Sequence, residues 1–411
     1  MAGLSAGSMA RDMRSTEESL DELEALLNTA GGISCGVVLQ NMKSPDSRTF
    51  LGSGKVGELK QIIENENCDL AVFDNELSPS QTRALSEELG VRVIDRSGLI
   101  MDIFAQRART REGKLQVELA QYNYLLPRLT GMWKHLVSQT GTSAPIGTRG
   151  PGETQLETDR RHIRRKIQKL TEELEQVRRV RDTQSRQRKK NAVPVVALVG
   201  YTNAGKSTLL NQLTGADIQA KDRLFDTLDT TTRRIALDEF GEILLSDTVG
   251  FIQRLPHHLV KAFRATLEEL CQADLLVHVI DASNPSWADQ AEVVNRLIEE
   301  LGAAQTPRLE VFNKSDIYTG EWLPSGADIL RISAKTGEGT EPLVARIVDM
   351  LQASRRRVLL HVPYAQAGLL ERIHRDGQVL GQQYLDSYIE LDATIPERIY
   401  AQVEPYLSLG G

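Results

Sequence analysis

Gly200-Tyr201-Thr202-Asn203-Ala204-Gly205-Lys206-Ser207 decides the fold. The octet fits the pattern GxxxxGK[ST], and it is flanked by the apolar run Val195-Val196-Ala197-Leu198-Val199 and by Thr208-Leu209-Leu210-Asn211, which has helical character. A strand that turns through glycines into a helix presents backbone N–H groups and the positive end of a helix dipole to one anion, so it cradles a phosphate. The expected ligand is a nucleoside triphosphate.

The base is read elsewhere. Asn313-Lys314-Ser315-Asp316 ends the apolar segment Arg308-Leu309-Glu310-Val311-Phe312. Such a tetrad offers an amide to the purine edge, and a carboxylate that accepts from a ring N–H and an exocyclic amine together. Guanine has that donor pair and adenine lacks it, so GTP and GDP are expected rather than adenine nucleotides. Between the two motifs, Asp247-Thr248-Val249-Gly250 closes the strand-like Ile243-Leu244-Leu245-Ser246. Asp247 can hold Mg²⁺ through water, and the Gly250 N–H can reach the γ-phosphate. Ser333-Ala334-Lys335, after Ile329-Leu330-Arg331-Ile332, supplies a loop that closes on the guanine oxygen. The four motifs stand in the order a GTPase requires.

A threonine that senses the γ-phosphate should lie between residues 208 and 243. Phe225-Asp226-Thr227-Leu228-Asp229-Thr230-Thr231-Thr232 offers four candidates ahead of the strand-like Arg234-Ile235-Ala236-Leu237. Directly after Gly250, where Ras-like enzymes carry a glutamine that orients the attacking water, stands Phe251, which cannot hydrogen-bond water. Unassisted hydrolysis should be slow, or should use a group from another segment or a partner. Arg233, Arg234 and Arg254 lie in or near the switches, but exposed arginines are commonly solvated or paired.

The 411 residues suffice for two to three domains with ordinary cores. No apolar run has membrane-spanning length, and Met1 to Thr16 lacks the basic-then-apolar order of a secretory signal. The C-terminus has no lipidation cysteine, and Cys35, Cys68 and Cys271 lack the spacing of a metal site or disulfide framework. The expectation is a monomer of the reducing cytoplasm, with peripheral association with membranes left open. The net charge of −7 hides an asymmetry: residues 160–190 carry thirteen Lys and Arg against four Asp and Glu, or +9, which leaves −16 for the rest. That segment suits a polyanion, although charge runs are often only solvated faces.

Residues 15 to 30 open with a capping box, carry leucines at helical spacing and stop at Gly31-Gly32. Beyond them the patterning predicts strands near 33 to 40, 70 to 73 and 91 to 94, and helices near 54 to 66 and 79 to 89, a small α/β unit. Gly52-Ser53-Gly54-Lys55 looks like a second phosphate loop, but Thr49 stands where the first glycine belongs and Val56 where the hydroxyl belongs. It reads as a turn and helix start. Long helices follow at 99 to 109, 112 to 129 and 153 to 190. A glycine-rich stretch, 141 to 152, lies before the last, and the two longest helices should form an antiparallel hairpin. Ile163, Ile167, Leu170, Leu174 and Val177 give the basic helix an apolar seam. Trp133 and His135 could stack on bases. His257-His258 lacks metal-ligand partners. Arg355-Arg356-Arg357 reads as a basic linker to a last unit, with strands 358 to 364 and 387 to 391 and helices 366 to 375 and 396 to 406.

The block Arg149-Gly150-Pro151-Gly152-Glu153-Thr154-Gln155-Leu156-Glu157-Thr158-Asp159-Arg160-Arg161, with the GYTNAGKST loop and the switch string Asp247 to Glu269, resembles the HflX GTPase family. The resemblance implies an α/β fold: a Ras-like P-loop GTPase core (193–354), an N-terminal α/β domain (1–110) carrying a long helical hairpin (111–192), and a small C-terminal α/β domain (355–411). It favours Thr227 over Thr231 as the switch threonine, with Ser207 and Thr227 as protein ligands of Mg²⁺ and Lys206 neutralising β- and γ-phosphate charge. It also implies binding to the large ribosomal subunit and its RNA, hydrolysis stimulated by ribosomes, and splitting or rescue of ribosomes under stress. Asp226 and Thr230 depart from the family's pattern, which usually has a small residue and a proline there. The contending reading is a GTPase that acts on a non-ribosomal RNA-maturation or protein partner.

Overall fold

A computed structural model describes the chain except residues 7–9, 133–150, 191–192, 216–223, 226–230, 238–239, 255–269, 321, 354 and 409–411. The expectations at Asp226, Thr227, Leu228, Asp229 and Thr230, at Trp133 and His135, at 141–150 and at His257-His258 therefore lie outside the described residues. The chain divides into two compact units. The first is Met1–Glu175 with the short segments Asp222–Leu228 and Arg254–Phe263; the second is Gln176–Lys221, Asp229–Gln253 and Arg264–Gly411.

The first unit is built on a parallel sheet of β1 (Ala2–Ala6), β2 (Val38–Met42), β3 (Leu70–Phe73) and β4 (Arg92–Asp95), in the order β2-β1-β3-β4. Helices α2 (Ser53–Glu66) and α3 (Pro79–Leu89) lie where the patterning puts them. Gly52-Ser53-Gly54-Lys55 is indeed a turn and helix start, with Gly52 as an extended N-cap. Ser78 and Gln81 form a capping box for α3, with Pro79 in its first turn. Two readings need correction. The capping box at residues 15–18 falls inside α1 (Ala10–Thr29), because Ala10-Arg11-Asp12-Met13-Arg14 contains good helix formers that extend the helix upstream. The second strand starts at Val38 and not near 33, and Ile33 stands 86% exposed. Phe73, Leu85, Leu59 and Val93 fill the core beneath this sheet.

Helix α4 (Arg96–Arg107) starts under the Asp95 side chain, which accepts from the Gly98 N–H at 2.9 Å. Two long helices follow, α5 (Arg111–Met132) and the forty-residue α6 (Pro151–Lys190). Arg111 opens α5 and pairs at 3.9 Å with Glu173 in the second half of α6, as antiparallel helices require. Leu170 is buried, while Arg161, Arg164, Arg165 and Lys169 are exposed.

The second unit holds a six-stranded sheet of β5 (Val195–Gly200), β6 (Thr231–Leu237), β7 (Gly241–Asp247), β8 (Leu275–Asp281), β9 (Arg308–Asn313) and β10 (Ile329–Arg331), in the order β10-β9-β8-β5-β7-β6. Only β6 runs antiparallel to its neighbour. Val196, Leu198, Val277, Val279, Leu309 and Val311 make near-continuous apolar strands, as burial on both faces of a parallel sheet demands. Helices α7 (Lys206–Thr214), α8 (Trp287–Glu300) and α9 (Thr340–Ala353) complete this part.

The C-terminal sheet is antiparallel, β11 (Arg355–Pro363), β12 (Gln378–Tyr384) and β13 (Tyr388–Pro396) in the order β11-β13-β12, with α10 (Ala367–Asp376) and α11 (Glu397–Val403). The patterning omitted β12, whose Gly381 and glutamines carry little β signal. Arg355-Arg356-Arg357 is not a linker but the start of β11. Arg357 forks onto Asp392 at 2.9 and 2.6 Å, and Arg356 lies over the Tyr400 ring. Among the described residues, no helix is long and apolar enough to cross a membrane.

Candidate nucleotide site

Each motif of the second unit stands at the carboxyl end of a strand: the glycine loop after β5, Asp247 at the end of β7, Asn313 at the end of β9 and Ser333 just past β10. In open α/β sheets this edge is where ligands bind. The glycine loop needs its glycines for space. A Cβ on Gly200 would stand 2.2 Å from the Val279 carbonyl oxygen, and one on Gly205 2.2 Å from Asn313 Nδ2. Gly205 (φ 91) and Asn203 (φ 62) have left-handed backbone, which turns the chain into α7.

Lys206 opens that helix, buried, and its Nζ donates to the carbonyls of Gly200 (3.1 Å) and Tyr201 (2.8 Å). Burial pushes its ammonium down to about 8, and the Asp247 carboxylate opposes that shift. Ser207 Oγ donates to Asp247 Oδ2 at 2.6 Å. A hydroxyl and a carboxylate so joined are hard oxygen donors of the kind Mg²⁺ takes. Thr208 follows in the first turn of α7. Gly250 is close to both: an added Cβ would stand 2.9 Å from Thr202 Cγ2 and 3.2 Å from Lys206 Nζ. Thr248 is held by its hydroxyl to the Leu198 carbonyl at 2.7 Å, and Val249 is buried.

The base-reading motifs are tied to the phosphate loop. Asn313, 2% exposed, donates from Nδ2 to the Ala204 carbonyl at 2.8 Å and accepts at Oδ1 from the Ala334 N–H at 2.9 Å. Lys314 takes a left-handed turn (φ 64), with its ammonium 2.7 Å from Asp281. Asp316 accepts from the buried Ser333 hydroxyl at 2.7 Å, and Ser315 N–H donates to Ile332. Asp316 and Lys335 remain exposed at the rim. Asn313 thus joins three motifs: its own, the phosphate loop 109 residues before it and the Ser333-Ala334-Lys335 loop 21 residues after it.

Two features escaped the sequence reading. Asp281 steadies Lys314; an acid ending the apolar run Leu275–Asp281 is the signal that could have found it. Phe251 is in the core, 1% exposed, and its backbone pairs with the phosphate loop. The Thr202 N–H donates to its carbonyl at 2.7 Å, and its own N–H donates to Gly200 at 3.2 Å. The side chain of Phe225, which is expected at the nucleotide, is buried. It packs edge-to-face on Phe104, with ring centroids 4.7 Å apart. Of the arginines near the switches, Arg234 pairs with Glu242 at 3.0 Å and Arg254 with Asp74.

Three family models match the chain in series: GTP-binding GTPase N-terminal over residues 17–105, GTP-binding GTPase Middle Region over 107–188, and 50S ribosome-binding GTPase over 195–314. The chain is 46% identical to GTPase HflX of Alkalihalophilus pseudofirmus over 97% of its own length and 94% of the relative's. It belongs to the HflX family of GTPases. The HflX protein of Caldanaerobacter subterraneus is 45% identical over 95% of this chain and 90% of its own, and that of Escherichia coli 43% over 92% and 90%. Among solved structures, a GTP-binding protein of Sulfolobus solfataricus in complex with GDP aligns over 85% of this chain and 98% of its own, at 25% identity and a TM-score of 0.44. As an HflX GTPase, the chain binds GTP and GDP and hydrolyses GTP.

Proposed function

We propose that this GTPase acts in the cytoplasm on the large ribosomal subunit, splitting or rescuing ribosomes under stress, with hydrolysis stimulated by the ribosome. The observation that carries the reading is α6, whose apolar seam is packed at Leu170 while Arg161, Arg164, Arg165 and Lys169 stay exposed, within a segment of charge +9. Such a helix is built to meet phosphates. The description of the model matching 195–314, a 50S ribosome-binding GTPase, supports the same partner. In this reading 111–192 is the RNA-facing arm, 193–354 the GTPase domain, and 1–110 and 355–411 the flanking domains.

Ser207, Thr227 and, through water, Asp247 would hold one Mg²⁺. When bound, the ion supplies positive charge to the β- and γ-phosphate oxygens. The chain does the rest. Lys206 turns from the loop carbonyls toward the phosphates, the Gly250 N–H donates to the γ-phosphate, and Asp316 selects guanine. Phe251 offers the attacking water nothing, so the ribosome is the natural source of acceleration.

GTP turnover is measured alone and with purified large subunits at two salt concentrations, with Lys206→Ala as the blank. Stimulation that weakens as salt rises is expected, because RNA phosphates release counterions on binding. Turnover and association indifferent to the subunit would move the function to a non-ribosomal RNA or protein partner.

A further inference from the structure

Four residues beyond Gly250, Arg254 adopts a left-handed backbone (φ 54), a conformation that a non-glycine residue keeps only where its surroundings fix it. The preceding segment is tied down: Phe251 pairs with the phosphate loop, and the Gln253 N–H donates to the Tyr201 hydroxyl at 2.8 Å. Arg254 itself packs as part of the first unit, where its guanidinium ion-pairs with Asp74.

Asp74 is no ordinary surface partner. Its side chain is wholly buried, and it also accepts from Ser19 Oγ at 2.8 Å and from Arg96 Nη1 at 2.7 Å. Arg96 in turn bonds Glu22 and the Ser19 carbonyl. The Arg254 side chain is 43% exposed, so the pair is screened on that side, but the Asp74 carboxylate has no access to water and is held in place by Ser19 and Arg96. The position matters as much as the burial. In the order β2-β1-β3-β4 the winding reverses between β1 and β3, and Asp74 is the first residue after β3. Folds of this kind bind ligands at that crevice; here it grips a switch side chain of the same chain. The other switch is held in the same unit by Phe225 on Phe104.

We propose that Asp74 is a positioning residue for GTP hydrolysis: through Arg254 it fixes the path of the segment that carries Gly250. This rests on the GTPase activity and not on the ribosomal reading, so the test omits ribosomes. Steady-state hydrolysis by the full chain is compared with Arg254→Ala, Arg254→Lys and Asp74→Asn, with Lys206→Ala as the blank. Arg254→Ala should lower kcat about tenfold and leave KM for GTP within about twofold, because the phosphate loop and the Asn313 brace are untouched. Arg254→Lys should recover part of the rate. Asp74→Asn should lose as much as Arg254→Ala, and the double variant no more than either alone. An unchanged or raised kcat in Arg254→Ala, or a KM loss matching the rate loss, would overturn the assignment. Should Asp74→Asn fail to fold, amide hydrogen exchange of Arg254→Ala decides: faster exchange over α1 and α4 than in the parent is expected, and unchanged exchange there also overturns it.

Discussion

Replacing Asn313 by alanine should damage the protein before any nucleotide arrives. The side chain is buried and makes two hydrogen bonds, to the Ala204 carbonyl at 2.8 Å and from the Ala334 N–H at 2.9 Å. Each neutral bond contributes about 1 kcal/mol net, and each buried group left without a partner costs about 1 to 3 kcal/mol. With water recovering part of that loss, the nucleotide-free second unit should be destabilised by about 2 to 4 kcal/mol, a large share of the ordinary stability of a domain. Asn313→Asp should be no milder, since its second oxygen would face the Ala204 carbonyl. Trp287 packs edge-to-face on Phe312 with ring centroids 5.1 Å apart, next in chain to Asn313, so tryptophan fluorescence in a urea series samples the region. A midpoint for Asn313→Ala that matches the parent without nucleotide, alongside a collapse of GDP affinity, would refute the bracing argument and leave Asn313 a base reader alone.

Three further outcomes follow from the same contacts. Lys206 in the free protein loses its proton near pH 8, whereas phosphate keeps it charged, so binding above that pH takes up a proton; GDP affinity should be flat below about pH 8 and fall by up to about tenfold per unit above it, in a fluorescence titration. His278 is buried in β8, and burial, then Arg308 and Lys206, push its pKa down to about 3 from 6.5. The unfolded chain therefore binds the extra proton between those values, and stability should drop as pH falls from 6.5 toward 3, by up to about 1.4 kcal/mol per unit; His278→Gln should have a shallower urea-midpoint slope, and an equal slope would contradict this. Gly205→Ala should abolish GDP binding, as its methyl would meet Asn313 at 2.2 Å on a backbone with φ 91; retained affinity by calorimetry would sink that account.

The phosphate loop was legible because its chemistry is local: strand, glycines, lysine and hydroxyl must be consecutive to surround one anion. The same holds for Asp247 and Asn313, each of which ends a strand that its apolar run announces, with Asp316 three residues past the second. What was illegible is what distant segments do to each other. The Asn313 side chain reads as a guanine contact, and nothing in its tetrad says that it braces Ala204, 109 residues earlier. Ala2–Ala6 has the composition of a loose terminus, yet it is an interior strand because β2 and β3 supply partners on both sides. Arg355-Arg356-Arg357 looks like a solvated linker until Asp392 and Tyr400 are seen to receive two of its charges.

Phe251 shows how a missing residue can be informative in three dimensions. In sequence it is the absence of a water-orienting glutamine. In the fold its ring belongs to the core and its backbone bonds on both sides to Gly200 and Thr202, so the segment from Gly250 to Gln253 is fastened to the phosphate loop. The first residue free of those bonds is Arg254, which turns left-handed and takes its partner from the first unit. The Asp74 network therefore acts on the far end of that segment, one residue past its last bond to the phosphate loop.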